Sequence, residues 1–280
     1  MPEDMTEFQQ FVVIRHGESQ TNATNIFQAG NQYDFDPLTP LGMEGARRLA
    51  ERFATLPVEL VLSSSYLRAR TTAGLIADAT QAPHLVPVQK NSSWVDLPAD
   101  DPEVRDRASL LREIDVPSEL RGMNFDDPRA NEIQHAAMSV ADQSDGHYSD
   151  EENLYDLWQR AEEIRRNLEE RAGRLTVVVA HGGILKVWLA HLMFTAVRGL
   201  DTPQQLSAYR GFTRLGWWDN TGVLSLKYSA EEGWLWLMTD IQHLQPDYFG
   251  FMPSTQRAAA AHPDTGAEYL GGEEDASTPS

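Results

Sequence analysis

The stretch FVVIRHGES, residues 11–19, and its later counterpart LTVVVAHGG, residues 175–183, decide the fold. Each is a short run of apolar, largely β-branched side chains that leads into a histidine followed by glycine. An unbroken apolar run of this length reads as a strand buried on both faces, the situation of a parallel sheet covered by helices. The glycine after each histidine turns the chain out of the strand. Two strands ending this way would deliver Arg15, His16 and His181 to the carboxyl edge of one sheet, where open α/β sheets bind their ligands.

Outward from these strands, the pattern alternates. Residues 41–56 place Leu41, Ala46, Leu49, Phe53 and Leu56 at mostly helical spacing, closed by Pro57. Residues 58–62 (VELVL) read as a strand running into Ser63, Ser64 and Ser65, followed by a helix over 66–79 capped by Ser65. A third strand is read at 85–88. Helical periodicity returns over 154–172, through Leu154, Leu157, Trp158, Ala161, Ile164 and Leu168, with Asp150 as an N-cap and Gly173 as C-cap. A helix over 184–194 follows His181, and residues 223–228 and 234–240 read as a hairpin. The expected class is α/β, a three-layer sandwich with a mostly parallel central sheet flanked by helices. Over 91–150 the patterning weakens, acids cluster and prolines punctuate, which reads as an inserted cap. From 251 to 280 the chain is rich in Ala, Gly, Ser and acids, the composition of a disordered acidic C-terminal tail, so the domain is expected over 8–250.

The 280 residues are 41% hydrophobic and 23% charged, the balance of a soluble globular chain. The 23 Lys and Arg against 42 Asp and Glu give a net charge of -19, which repels nucleic acid and anionic membranes. Cysteine is absent, which removes disulfides, thiol nucleophiles and Cys-ligated zinc. The opening MPEDMTEFQQ has neither the basic start nor the apolar run of a secretory signal, and no apolar stretch spans a bilayer; a cytoplasmic location is expected. No HExxH, P-loop or G-x-S-x-G text occurs, so neither metal nor cofactor is expected.

What the strand ends present suits phosphate. Arg15, and Arg68 just past the serines of the second strand, supply forked donors for phosphoryl oxygens, and a neutral imidazole beside them can attack phosphorus. Arg15-His16-Gly17-Glu18-Ser19 with Asn22 resembles the R-H-G-E-[ST]-x-x-N signature of the histidine phosphatase superfamily, which includes the phosphoglycerate mutases. Leu38-Thr39-Pro40-Leu41-Gly42 resembles its L-[ST]-x-x-G, residues 63–73 (SSSYLRARTTA) its S-x-x-x-R-A-x-x-T-A, and Ala180-His181-Gly182-Gly183 its second-histidine motif. The four follow the family's order over residues 11 to 228.

The resemblance implies that His16 is the nucleophile that becomes phosphohistidine. It implies that Arg15, Arg68 and His181 bind the phosphoryl oxygens and stabilise transition-state charge, with Asn22 and the backbone N–H of Gly182 as further donors. The family takes its proton donor from the region after the third strand. Leu111-Arg112-Glu113-Ile114, with Gly122 beyond, resembles its L-x-E block, which names Glu113, with Glu119 as rival; Glu18 reads as a positioning or capping group. The implied activity is metal-independent hydrolysis of a small phosphorylated substrate. A phosphoglycerate mutase is the alternative, although the mutases' paired-arginine, proline-rich cap stretch has no match in 91–150, and a non-catalytic phosphate-binding scaffold is a second alternative. An acidic cap would favour simple monoesters over polyphosphates. The remaining histidines read as structural or exposed, and Trp217, Trp218, Trp234 and Trp236 as packing. Nothing in these residues indicates an oligomeric state.

Overall fold

The computed structural model describes residues 8–27, 36–141, 143–171, 173–196, 201–212 and 219–240. Seven strands form one sheet in the order β4-β3-β2-β5-β1-β6-β7: β1 Gln9–Arg15, β2 Leu60–Ser63, β3 His84–Lys90, β4 Ser93–Pro98, β5 Leu175–Ala180, β6 Val223–Ser229 and β7 Gly233–Asp240. The four middle strands β3, β2, β5 and β1 run parallel, whereas β4 at one edge and the β6–β7 hairpin at the other are antiparallel. The helices are α1 Gln20–Thr24, α2 Pro40–Phe53, α3 Leu67–Thr80, α4 Pro128–Val140, α5 Leu154–Glu169, α6 Gly182–Thr195 and α7 Thr202–Phe212.

Strand alternation makes the three layers. Successive side chains point to opposite faces, so Phe11 and Val13 of β1, with Val178 and Ala180 of β5, join a core built from α5 and α6. Val12 and Ile14, with Val177 and Val179, join the core of α2 and α3 on the other face. Every residue of β5 is buried, which is why its text carries no polar alternation. Trp234 packs against Phe11, Tyr228 and Trp188, at centroid distances of 5.0, 5.1 and 5.6 Å, the packing role expected of it. Trp217, Trp218 and the 251–280 tail lie outside the described residues.

Several local expectations are corrected. The stretch read as the start of the cap opens instead with β4, paired to β3 through a two-residue turn at Asn91 and Ser92, with φ of 51° and 61°. Both turn residues are left-handed, as a type I′ hairpin requires. Ser65 does not cap α3; Tyr66 holds the N-cap position without a side-chain bond. Helix α2 starts at Pro40 because the Thr39 hydroxyl accepts from Gly42 N at 3.0 Å, and it stops at Phe53, leaving Leu56 exposed. The N-cap of α5 is Asn153, in a reciprocal box with Asp156, while Asp150 accepts from Ser118 N at 2.8 Å. The helix ends at Glu169, before Gly173. Helices α1, α4 and α7 carry no strong amphipathic signal and were not expected.

Gly42 is set by close approach. A Cβ there would collide with the backbone of Glu18, and one on Gly17 would lie 2.7 Å from Gly42 O, so the first turn of α2 rests directly on the loop after β1. Gly42→Ala is expected to lower unfolding free energy by about 1–3 kcal/mol, the usual cost of overpacking. Gly74→Ala in α3, where a Cβ meets nothing within 4 Å, is expected to raise it by roughly 0.5–1 kcal/mol. Urea denaturation of both variants checks the contrast.

Candidate active site

In the β1–β5 pair Arg15 lies opposite Ala180, so the next residues, His16 and His181, emerge side by side at the sheet's carboxyl edge. His16 N donates to Ala180 O at 3.0 Å, and the two imidazole centroids are 5.0 Å apart. Both rings are buried, at 2% and 0% exposure.

The hydrogen bonds of His16 select its tautomer. Arg68 Nε, which can only donate, lies 3.0 Å from His16 Nε2. Nε2 must then be the unprotonated nitrogen, and the proton sits on Nδ1, which donates to Gly17 O at 2.7 Å. The lone pair is thereby on the ring nitrogen that faces the arginine. Burial first, then Arg68 and Arg15, hold the His16 pKa well below the usual histidine value, so the ring is neutral at pH 7.

Arg68 comes from the first turn of α3 and is itself oriented. Its Nη1 lies 3.3 Å from Asp36 Oδ2, a carboxylate with 1% exposure. Asp36 also accepts from Thr21 N at 3.1 Å and from the Thr21 hydroxyl. The Arg68 guanidinium carbon stands 5.3 Å over the Tyr66 ring, which in turn packs 5.0 Å from His181. Thr72 completes the support: its hydroxyl accepts from Gly17 N at 3.0 Å and donates to Arg68 O at 2.8 Å.

His181 is the contrasting case, because neither ring nitrogen has a hydrogen-bond partner among the described residues. A buried polar atom left unpaired costs about 1–3 kcal/mol. Its pKa is lowered by burial, then by Arg68, His16 and Arg15.

Arg15 lies against the opening of α6, where a Cβ on Gly182 would stand 3.4 Å from Arg15 Nε. Asn22 takes part in the α1 capping box with Ser19, and its Oδ1 accepts from Ser19 N at 3.2 Å and Asn220 Nδ2 at 3.0 Å. That leaves Asn22 Nδ2 as the group that could serve a phosphoryl oxygen. Glu18 is 5% exposed and accepts from the Thr39 hydroxyl at 2.9 Å, tying the histidine loop to the start of α2.

Of the two rival acids, one reaches this edge of the sheet. Glu113 Oε2 accepts from Gly183 N at 3.3 Å and Oε1 from Ile184 N at 3.1 Å, at the amino end of α6 beside His181 and Gly182. A Cβ on Gly183 would strike this carboxylate, which accounts for the second glycine of the motif. Glu119 is exposed and accepts from the Ser149 hydroxyl at 2.8 Å.

Sequence reasoning missed Asp36, Thr72, Lys186 and Asn220. Asp36 stands two residues before Leu38 of the second motif and Thr72 within the third, signals that were available. Asn220 Nδ2 also donates to His16 O at 3.0 Å, but nothing in its neighbourhood marks it. Lys186, one turn into α6, has its pKa lowered by burial and by Arg15, with Glu113 opposing. No group of three metal-ligating side chains occurs among the described residues. A cavity of about 610 Å³ between α5, α6 and α7, lined by Trp158, Glu162, His191 and Gln205, includes none of the site residues.

The buried histidines set a pH dependence. His84 and His191 are lowered to about 4, chiefly by burial, and His16 and His181 are lowered well below 6.5. Their folded-state pKa values lie below the unfolded one, so the unfolded chain takes up protons first and stability falls as pH drops through about 6.5. Between pH 7 and 5 each such histidine is expected to cost roughly 1–2 kcal/mol. Urea unfolding at the two pH values, in wild type and in His191→Gln, checks it: the variant should lose less on acidification.

Comparison with known proteins agrees with this geometry. The profile described as histidine phosphatase superfamily (branch 1) matches residues 11–230. A probable phosphoglycerate mutase GpmB of Enterobacter sp. (strain 638) is 40% identical over 70 residues, 25% of this chain and 31% of the relative. A putative phosphoserine phosphatase 2 of Hydrogenobacter thermophilus is 42% identical over 66 residues, 24% of this chain and 31% of the relative. These matches span less than a third of each relative's length. Among solved structures, Bacillus stearothermophilus YhfR superposes with a TM-score of 0.60 at 20% identity, covering 84% of this chain and 98% of that one. A phosphoserine phosphatase of Entamoeba histolytica, crystallised with phosphoserine, gives 0.58 at 16% identity over 85% of this chain and all of that one. With the profile covering most of the chain and the fold shared, the protein belongs to the histidine phosphatase superfamily.

Proposed function

We propose that the protein is a metal-independent phosphomonoester hydrolase acting through a phosphohistidine on His16. The observation that carries the reading is the pairing of a neutral His16, its lone pair held on Nε2, with a buried His181 whose nitrogens have no partner among the described residues, both beside Arg15 and Arg68. A phosphoryl dianion complements this arrangement: it offers an electrophile to Nε2, oxygens to the Arg15 and Arg68 guanidiniums, and acceptor atoms to the His181 ring.

In the first displacement Arg68 Nε–H passes from His16 Nε2 to a phosphoryl oxygen, and Nε2 attacks phosphorus. The N–P bond forms, the P–O bond to the alcohol breaks, and Glu113 gives its proton to the leaving oxygen. In the second, water attacks phosphorus, Glu113 recovers a proton from it, and inorganic phosphate leaves. Arg15, Arg68, His181, Asn22 Nδ2 and the Gly182 N–H at the α6 terminus stabilise the equatorial oxygens in both.

Residues 8–250 form the catalytic domain in this reading, with the cap between β4 and about residue 150. Hydrolysis is favoured over mutase chemistry because the mutases' paired-arginine, proline-rich cap stretch has no match in 91–150, and Arg112 of the cap is engaged with Glu152 and Asp115, at 2.7 and 3.4 Å. The acidic cap around a cationic pocket supports a simple monoester as substrate.

Release of p-nitrophenol from p-nitrophenyl phosphate in EDTA tests the assignment. The wild type is expected to turn over, and His16→Ala to lose at least about 10³-fold, the scale of losing a covalent nucleophile. Wild type inactive on monoesters but active in a phosphoglycerate mutase assay would replace the reading. Glu113→Gln is expected to slow alkyl phosphates by about 10²-fold or more, the usual worth of a general acid. Its effect on p-nitrophenyl phosphate should be much smaller, since that leaving group scarcely needs protonation; equal loss on both would remove the acid role from Glu113.

A further inference from the structure

We propose that Arg160 of α5 is a positioning residue that holds Glu113 against the amino end of α6 by gripping the backbone of the loop carrying it. The inference rests on the reading of Glu113 as proton donor.

Residues 112–117 have no regular structure, so no helix or strand ladder fixes where the Glu113 Cα lies. Arg160 does so from behind. Its side chain is 5% exposed, and Nη1 donates to Arg112 O at 2.7 Å while Nη2 reaches Glu113 O at 3.5 Å. Nη2 also donates to Glu152 Oε2 at 2.6 Å. Glu152 extends the grip: Oε1 accepts from Arg112 Nη2 at 2.7 Å and Oε2 from Asp115 N at 3.0 Å, and its own N donates to Asp115 O at 3.1 Å. The loop is therefore bound at 112, 113 and 115, on both sides of the acid.

In front, the Glu113 carboxyl meets Gly183 N and Ile184 N. The acid is thus pinned between two helices, with its backbone held by α5 and its carboxyl by α6. A guanidinium suits the rear position because its planar fork can serve two carbonyls and a carboxylate from one fixed orientation, which a lysine ammonium cannot match. Buried Arg–Glu pairs are weak evidence for added stability. The partners chosen here, two successive main-chain carbonyls at the acid, point instead to placement: a displacement of about 1 Å can cost on the order of 100-fold in rate.

The test compares Arg160→Met, Arg160→Lys, Glu113→Gln and the double variant Arg160→Met/Glu113→Gln on an alkyl phosphate and on p-nitrophenyl phosphate. Arg160→Met is expected to lower kcat on the alkyl ester by about tenfold or more, while p-nitrophenyl phosphate turnover and inhibition by inorganic phosphate stay within about twofold. Because the arginine acts through the acid, the double variant should be no slower on the alkyl ester than Glu113→Gln alone, and Arg160→Lys should recover little. If Arg160→Met is insoluble, Glu152→Gln loosens the same grip and is read in the same way. Equal loss on both substrates, additive loss in the double variant, or no loss at all would overturn the proposal while a leaving-group split in Glu113→Gln still stands. Absence of that split in Glu113→Gln itself would retire the proton-donor reading, and the role of Arg160 with it.

Discussion

The parallel register of β1 on β5, which sets Arg15 opposite Ala180, is the constraint on which the rest of the site depends. Each strand ends one residue before a histidine, so a single ladder places both imidazoles at the same height. A slip of one residue would send every side chain of β1 to the opposite face. Phe11 and Val13 on one side and Val12 and Ile14 on the other are all committed to cores, and this burial holds the register. The relative placement of the two imidazoles is thus fixed by apolar packing several residues away from either ring.

Around the two rings, burial and cationic neighbours act in the same direction. Desolvation disfavours the imidazolium, and Arg68 and Arg15 disfavour it further, so the pocket keeps its positive charge on guanidiniums and the two imidazoles neutral. Asp36 offsets part of that charge from the far side of Arg68, where it orients the guanidinium without occupying the face turned to His16. His181 contributes two buried ring nitrogens that have no hydrogen-bond partner among the described residues.

The amino end of α6 gathers the remaining contributions. Gly182 admits Arg15 and Gly183 admits Glu113, so the two glycines of one motif make room for a cation and an acid on adjacent faces of the same helical turn. Helix α5 packs beside it and, through Arg160 and Glu152, reaches the loop behind Glu113. The Glu113 side of the pocket is in this way an assembly of two helix surfaces and an irregular loop, whereas the His16 side belongs to the sheet.

That division also separates what could be read in the chain from what could not. The sequence by itself determined the buried strands, because a run such as LTVVVA, apolar but for Thr176, is satisfied only with both faces covered, and it placed His16, Arg15, Arg68 and His181 each at the end of a recognisable element. The resemblance of Leu111-Arg112-Glu113-Ile114 singled out Glu113, with Glu119 as rival, and the folded chain brings Glu113 to the amino end of α6. The sequence did not reveal β4, whose turn at Asn91 and Ser92 lacks the usual glycine, nor helices such as α4, whose apolar face is weak. Only the tertiary structure decided the tautomer of His16, the support of Arg68 by Asp36, and the grip of Arg160 on the Glu113 loop. Those contacts join residues 32 to 52 positions apart. Hydrophobic periodicity records what a residue does to its own element, but a hydrogen bond across such distances leaves no period in the chain, and it exists only once packing has brought the two groups within about 3 Å.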